Sequence, residues 1–166
     1  MICVEPAKMR QEHARDFGAD HVLDPTKHDV IPACLELCGV FTPPDIAFDC
    51  AGVPASLETA CKVIKSRGTV VNVAIWEKSV PFNPNWLVFR EANYKAVLGY
   101  QKKDFQGVIK ALGEGKIKPA AMITSRIRMD QLVDKGYWTL IKEKDKHVKI
   151  LVDVKAGVDP RHILSS

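Results

Sequence analysis

No apolar run in this 166-residue chain reaches the length of a membrane span, so no transmembrane helix is predicted. The first stretch carries Glu5, Lys8, Arg10, Glu12, Arg15, Asp16 and Asp20, which leaves no apolar core for a secretory signal. The histidines (His13, His21, His28, His147 and His162) are scattered and form no His-x-x-x-His pair. Cys34 and Cys38 fall on one helix face with no histidine near them in sequence. They read as core thiols, and no metal ligand is assigned. Five cysteines, an odd number without framework spacing, argue for reduced thiols in a cytoplasmic protein. There is no Gly-x-Ser-x-Gly and no lysine-bearing phosphate loop, and no residue stands out as a general acid, base or nucleophile. Gly113-Glu114-Gly115 opens like a Gly-x-Gly-x-x-Gly motif, but Lys118 takes its last glycine position and it follows a helical pattern, so it reads as a helix stop. Neither charge sign dominates: the net charge is +4. The densest basic stretch, Lys142 to Lys149, is broken by Glu143 and Asp145 and reads as a solvated helix end, not a nucleic-acid surface. Internal repeats and low-complexity segments are lacking.

What remains is ordinary for a globular chain with a sizeable core: 46% hydrophobic and 27% charged residues. Strands alternate with helical patterns through residue 76. Ile2–Glu5 is a strand. Residues 7–17 form a helix with Ala7, Ala14 and Phe17 on one face and Gly18 as its stop. His21–Leu23 is a strand, and residues 30–38 a helix that Asp29 can cap. After a Gly/Pro loop, Ile46–Phe48 is a strand ending at Asp49-Cys50. Pro54 opens a helix with Leu57, Ala60, Cys61 and Ile64 at helical spacing. Thr69–Ile75 is the strongest strand, a continuous apolar run of the kind buried on both faces. This alternation calls for an α/β fold, a parallel sheet with helices on both sides. The rhythm then changes. Trp76–Pro84 is irregular and allows a short strand at Val80–Phe82. A short helix at 86–92, a strand at 95–100 and a helix capped by Asp104 follow. Met122–Ile127 is a strand, Asp130 can cap another helix, and Val148–Val154 alternates as a strand.

Three places suggest a ligand. A short strand ending in Glu5, followed by a helix with Arg10 and then Gly18-Ala19-Asp20, is how the second strand of a dinucleotide-binding sheet begins. There the acid accepts the adenosine ribose hydroxyls of NAD and repels the extra phosphate of NADP. A solvated strand-end carboxylate has the same pattern. That acid belongs about twenty residues after a Gly-rich loop; here it is residue 5, so the first strand and its loop are expected to be absent. Cys50-Ala51-Gly52 leaves a strand toward a helix, and Gly52 would let backbone approach an adenine; a tight turn would look alike. Val73-Ala74-Ile75 ends the strongest strand, where backbone could meet a nicotinamide carboxamide, or where a buried strand simply stops.

With these residues in view, the chain resembles the C-terminal part of a medium-chain, zinc-type alcohol or polyol dehydrogenase, most of all the 2,3-butanediol and sorbitol dehydrogenase branch. The stretches that carry the likeness are VEPAKMRQEHARDFGADHVLDP, FDCAGVPASLETACKVIKSRGTVVNVAIW, VPFNPNWLVFREANYKAVLGYQ and HVKILVDV. The resemblance implies a partial Rossmann-type sheet over 1–118, elements at 119–155 that return to a substrate domain, and a loose tail at 156–166. It places Glu5 at the NAD-selecting position and Arg10 near the adenine. Val73 and Ile75, with the backbones of Val97 and Gly99, fall at the nicotinamide end, and Lys149 near the pyrophosphate. Residues 86–100 resemble the segment through which such chains pair into homo-oligomers. The implied reaction is NAD-dependent oxidation of a small secondary alcohol, diol or polyol, or the reverse. Zinc would polarise the alcohol oxygen, its ligands lying in a domain this chain does not contain. Without the central strand of the 3-2-1-4-5-6 order, the strands before and after it share no neighbour. The isolated chain is expected to be inactive. Two alternatives stand beside this one. The first is a non-catalytic remnant that binds nucleotide weakly or pairs with an intact relative. The second is a zinc-free quinone or enoyl reductase relative, against which Glu5 argues.

Overall fold

The computed structural model describes residues 1–39, 42–143 and 145–154. The elements run β1 (Ile2–Val4), α1 (Lys8–Asp16), β2 (His21–Leu23), α2 (Val30–Cys38), β3 (Ile46–Asp49), α3 (Pro54–Val63), β4 (Thr69–Asn72), α4 (Asn85–Val88), β5 (Asn93–Ala96), α5 (Lys102–Gly113), β6 (Ile123–Arg128), α6 (Trp138–Lys142) and β7 (Lys149–Asp153). Hydrogen bonding divides these strands into separate sheets, β1-β2, β3-β4-β5 and β6-β7. The break between the first two is the one expected when no central strand bridges them. By contacts the chain forms two compact units. One holds Leu23–Lys102 with Ile2; the other holds Cys3–Val22 and the residues from 103 onward, with Met1.

In the unit Leu23–Lys102 the sheet is wholly parallel. Asp49 lies opposite Asn72, and Asn72 opposite Ala96, so the strands end at one level. Alternation along a strand sends Ala47 and Asp49 to the face that α3 covers and Ile46 and Phe48 to the other. The apolar stripe expected in α3 packs as its spacing demands. Leu57, Ala60, Cys61 and Ile64 meet Val70, with Trp76, Trp86, Leu87 and Ala92 at the margin. A second cluster joins Leu23, Val30, Cys34 and Val63, with Ile2 against it. Arg90 closes the end of α3 by donating from Nη2 to the Lys62 carbonyl at 2.7 Å and from Nε to that of Ile64 at 3.2 Å. These donors satisfy carbonyls that the helix leaves without partners.

Several expectations need correction. The second face of this sheet is not covered by a helix in the unit: Ile46 is 52% and Phe48 64% exposed. β4 stops at Asn72, not Ile75, because the Asn72 side chain folds forward to donate to the Ala74 carbonyl at 3.0 Å, and Val73 and Ala74 turn their N–H groups to the Asp49 carbonyl. β5 occupies 93–96, not 95–100; its ladder ends where Val97 N–H reaches the Asn72 carbonyl at 3.1 Å. Val80–Phe82 has no strand partner and stays irregular, and the short helix spans 85–88. Asp29 occupies the N-cap of α2 without a side-chain capping bond. Asp104 lies inside the first turn of α5 and not before it.

In the other unit β6 and β7 pair in parallel, with an irregularity between Ile123 and Ser125. Between them Leu132–Tyr137 takes π-helical form and runs into α6, where a single α-helix was expected. Gly136 sits there under Ile127, whose Cδ1 would lie 3.2 Å from an added Cβ, so a side chain here requires Ile127 to shift by a few tenths of an ångström. Helix α5 stops at Gly113, as its glycines suggested. The segment 156–166, expected to be a loose tail, lies outside the described residues.

The packing concentrates stability on the α3 face. Ile64, 2% exposed and in the larger cluster, is the side chain to remove. Ile64→Ala is predicted to cost about 2–5 kcal/mol, read as the shift of the urea unfolding midpoint.

Candidate functional site

Glu5 follows β1 at the strand's carboxyl end. Its Oε1 accepts the Ala7 N–H at 2.9 Å and lies 3.9 Å from Arg10 Nη1. Its own carbonyl accepts a bond from Gln11 Nε2 at 2.7 Å. Strand end, turn and the second turn of α1 are thereby closed on one another. Glu5 keeps 21% of its side chain exposed. A carboxylate is an acceptor only; held this way, it can take the two hydroxyls of a vicinal diol, and it meets a phosphate with repulsion. The structure therefore brings Glu5 and Arg10 together. Gln11 was not foreseen. It is the one buried residue of α1, and its signal was a polar residue on the face defined by Ala7 and Ala14.

The second region is the carboxyl edge of β3-β4-β5. Ligands of open parallel sheets bind beyond this edge, and the level register sends 50–52, 73–75 and 97–99 off it together. Gly52 has φ +64°, and a Cβ there would stand 3.0 Å from Ala74 Cβ and 3.4 Å from the Ile75 carbonyl oxygen. Only glycine lets these two chain segments approach so closely. Cys50, Val73, Ile75, Val97 and Gly99 are all exposed, Ile75 at 79%. Lys149 opens β7, with its side chain exposed and its carbonyl accepting a bond from Thr124 Oγ1 at 3.1 Å.

What holds this edge is Asp49, which sequence reading passed over as a strand end. It is 1% exposed. Its Oδ1 accepts from Ala51 N–H at 3.1 Å and Gly52 N–H at 3.2 Å, and lies 2.7 Å from Ser56 Oγ. Its carbonyl takes Val73 N–H at 2.9 Å and Ala74 N–H at 3.1 Å. Beside it Asn72 Oδ1 accepts from the Trp76 indole at 2.9 Å. The signal available was a charge in an otherwise apolar strand, with a serine seven residues later in the first turn of the next helix. The neighbouring Cys50 thiol is pushed above its ordinary range, first by partial burial of its sulfur and then by the Asp49 charge. It is thus no activated nucleophile. Among the described residues no group of three or more His, Cys, Asp or Glu stands together so as to hold a metal ion. Zinc has no donor set in the described part of this chain; the half-buried Glu5 acid in one unit, and the Gly52 turn on the strand edge in the other, each have the chemistry to hold part of a dinucleotide.

A family model described as zinc-binding dehydrogenase matches residues 1–114. The chain belongs to that family. The (R,R)-butanediol dehydrogenase of Bacillus subtilis (strain 168) is 37% identical over 153 residues, which is 92% of this chain and 43% of the relative. The (R,R)-butanediol dehydrogenase of Neisseria gonorrhoeae is 34% identical over 157 residues, again 92% of this chain and 43% of the relative. The crystal structure of 2R,3R-butanediol dehydrogenase from Bacillus subtilis superposes with a TM-score of 0.83 at 34% identity, covering 92% of this chain and 43% of that one. The chain thus spans well under half the length of these relatives. The match establishes the Rossmann-like α/β fold expected from the sequence. No helix among the described residues is long and apolar enough to cross a membrane.

The close approach at Gly52 is testable. Gly52→Ala is predicted to lose about 1–2 kcal/mol from the left-handed backbone alone, with more from the contact to Ala74. Urea unfolding measures the loss, and an unchanged midpoint would refute the proximity.

Proposed function

We propose that this chain forms the NAD-binding side of a dehydrogenase that oxidises a small secondary alcohol, diol or polyol, of the kind 2,3-butanediol and sorbitol represent, or runs the reverse reduction. The observation that carries this is Glu5, a half-buried carboxylate fixed at a strand end beside Arg10. NAD, when bound, supplies the hydride acceptor. Glu5 would accept the ribose hydroxyls, with Arg10 near the adenine and Gly52 admitting the base to the backbone. Val73 and Ile75, with the backbones of Val97 and Gly99, would bracket the nicotinamide carboxamide, their apolar side chains shielding it from water. Lys149 would pair with the pyrophosphate. In this reading residues 1–118 serve the cofactor and 119–155 belong to the substrate domain. The five cysteines are free thiols, which supports a reducing, cytoplasmic setting.

A titration with NADH and NADPH, followed by nicotinamide fluorescence, tests the assignment. NADH is expected to bind more tightly. Glu5→Ser is expected to lower that preference about tenfold to a hundredfold, the equivalent of losing charge-assisted hydrogen bonds. A chain that prefers NADPH before mutation overturns the reading.

A second reading rests on the apolar exposure of 86–100, where Val88 is 62%, Phe89 81% and Leu98 85% exposed. Such a patch suits pairing between copies or with an intact relative, by a chain that is itself silent. We expect the purified chain to form no NADH from NAD with 2,3-butanediol or sorbitol. Turnover comparable to that of a full-length relative would exclude a non-catalytic role.

A further inference from the structure

One carboxylate of this chain is buried to 1%, and nothing in the proposed reaction requires a charge there. Burial of a carboxylate costs several kcal/mol unless hydrogen bonds and positive dipoles compensate it. At Asp49 the compensation is lopsided. Oδ1 serves Ala51, Gly52 and Ser56, while Oδ2 is buried without a partner. An apolar residue would pack here without that cost, so the arrangement calls for an explanation beyond packing.

The bonds supply one. Every group that Asp49 holds lies on the edge assigned to the cofactor. Through Oδ1 it fixes the turn Ala51–Gly52 and the first turn of α3. Through its carbonyl it fixes Val73 and Ala74, just beyond β4. The Ser56 hydroxyl lies 2.7 Å from Oδ1 and 2.8 Å from the Val53 carbonyl. It has one proton to give, so the Asp49 bond competes with a local turn bond. The Asp49 charge favours the former. The main-chain bonds would survive any side chain at this position; the three at Oδ1 would not.

We propose that Asp49 is a positioning residue for the dinucleotide. Its Oδ1 sets the Ala51–Gly52 backbone against the Ala74–Ile75 backbone, so that both present themselves to the cofactor at the right separation. The inference rests on the cofactor reading above and adds to it a residue that touches no ligand. It requires an acceptor at Oδ1; the charge strengthens the Ser56 bond and is not otherwise needed. Asparagine can rebuild the acceptor; leucine, of similar size, cannot.

The test is the affinity of the purified chain for NADH, with urea unfolding measured in parallel on each variant. Asp49→Leu is expected to weaken NADH binding at least about tenfold, the order of one charge-assisted hydrogen bond. Asp49→Asn is expected to return it to within about threefold of the original, on the same scale. Should Asp49→Leu fail to fold, Ser56→Ala removes one partner of Oδ1 and is expected to weaken NADH binding by about threefold to tenfold. Amide hydrogen exchange at Ala51 and Gly52 is expected to speed up in Asp49→Leu and not in Asp49→Asn. Equal NADH affinity in folded Asp49→Leu or in Ser56→Ala, or a loss in Asp49→Leu that asparagine does not restore, overturns the inference while leaving the cofactor reading intact. An unmutated chain that binds no NADH overturns the cofactor reading and this role with it, even where the exchange pattern confirms the clasp.

Discussion

Parallel register places Asp49 beside Asn72 and Asn72 beside Ala96, so the sheet ends squarely. The two polar residues of that row point to the face α3 covers, which is an expensive place for them. Asp49 is compensated by two backbone N–H groups and a hydroxyl at the start of α3, where the helix dipole also favours a negative charge. Asn72 is compensated by the Trp76 indole on one side and the Ala74 carbonyl on the other. Neither arrangement works unless the chain turns immediately after each strand. The polar row therefore terminates the strands, directs the turns and anchors the helix in a single network. The glycine at 52 is a consequence: the two turns are drawn so close that a Cβ has no room.

Stability and exposure are distributed unevenly around that row. Below it, Cys61 and Val70 are fully buried and Ile64 nearly so, and Arg90 closes the far end of α3. On the reverse face of the same strands Ile46 and Phe48 are mostly exposed, and β3 has one hydrogen-bonded neighbour among the described residues. Such an edge presents backbone groups of the kind that another strand pairs with. The β3-β4-β5 unit thus has one face that specifies a ligand edge and one that asks for cover.

Much of this was legible beforehand. The α3 stripe of Leu57, Ala60, Cys61 and Ile64 was visible because burial on one helix face imposes a period that sequence shows directly. Gly52 and Glu5 stood out because each is a distinctive residue type for its place, a glycine in a strand-to-helix turn and an acid at a strand end. The ends of β4 and β5 did not. Apolar residues continue past Asn72 to Ile75 and past Ala96 to Leu98, yet they lie beyond the ladder, with Val73, Ile75, Val97 and Leu98 exposed. Apolar composition alone does not tell a residue in a ladder from one just beyond it. Asp49 and Gln11 were missed for a related reason: apart from Ser56, their partners are main-chain groups. Any sequence supplies main-chain amides, so a side chain that works by binding them leaves no matching residue to find.

The same reasoning separates the two candidate ligand regions. The Glu5 carboxylate is oriented by Ala7 and Arg10, with Gln11 holding the Glu5 main-chain carbonyl, all within six residues along the chain, and the discrimination expected of it is a matter of charge. The β3–β4 edge is oriented by Asp49, Asn72 and Ser56, and what it offers a ligand is mostly backbone shape. Different residues and different physics govern the two. Discrimination by charge survives small displacements, because Coulomb energy falls off slowly with distance. Recognition by backbone hydrogen bonds does not, because those bonds weaken steeply with angle and separation. It follows that the tighter scaffolding belongs on the backbone-reading side. That is where Asp49 lies, the most deeply buried acid among the described residues, while Glu5 is held by a lighter, local set of bonds.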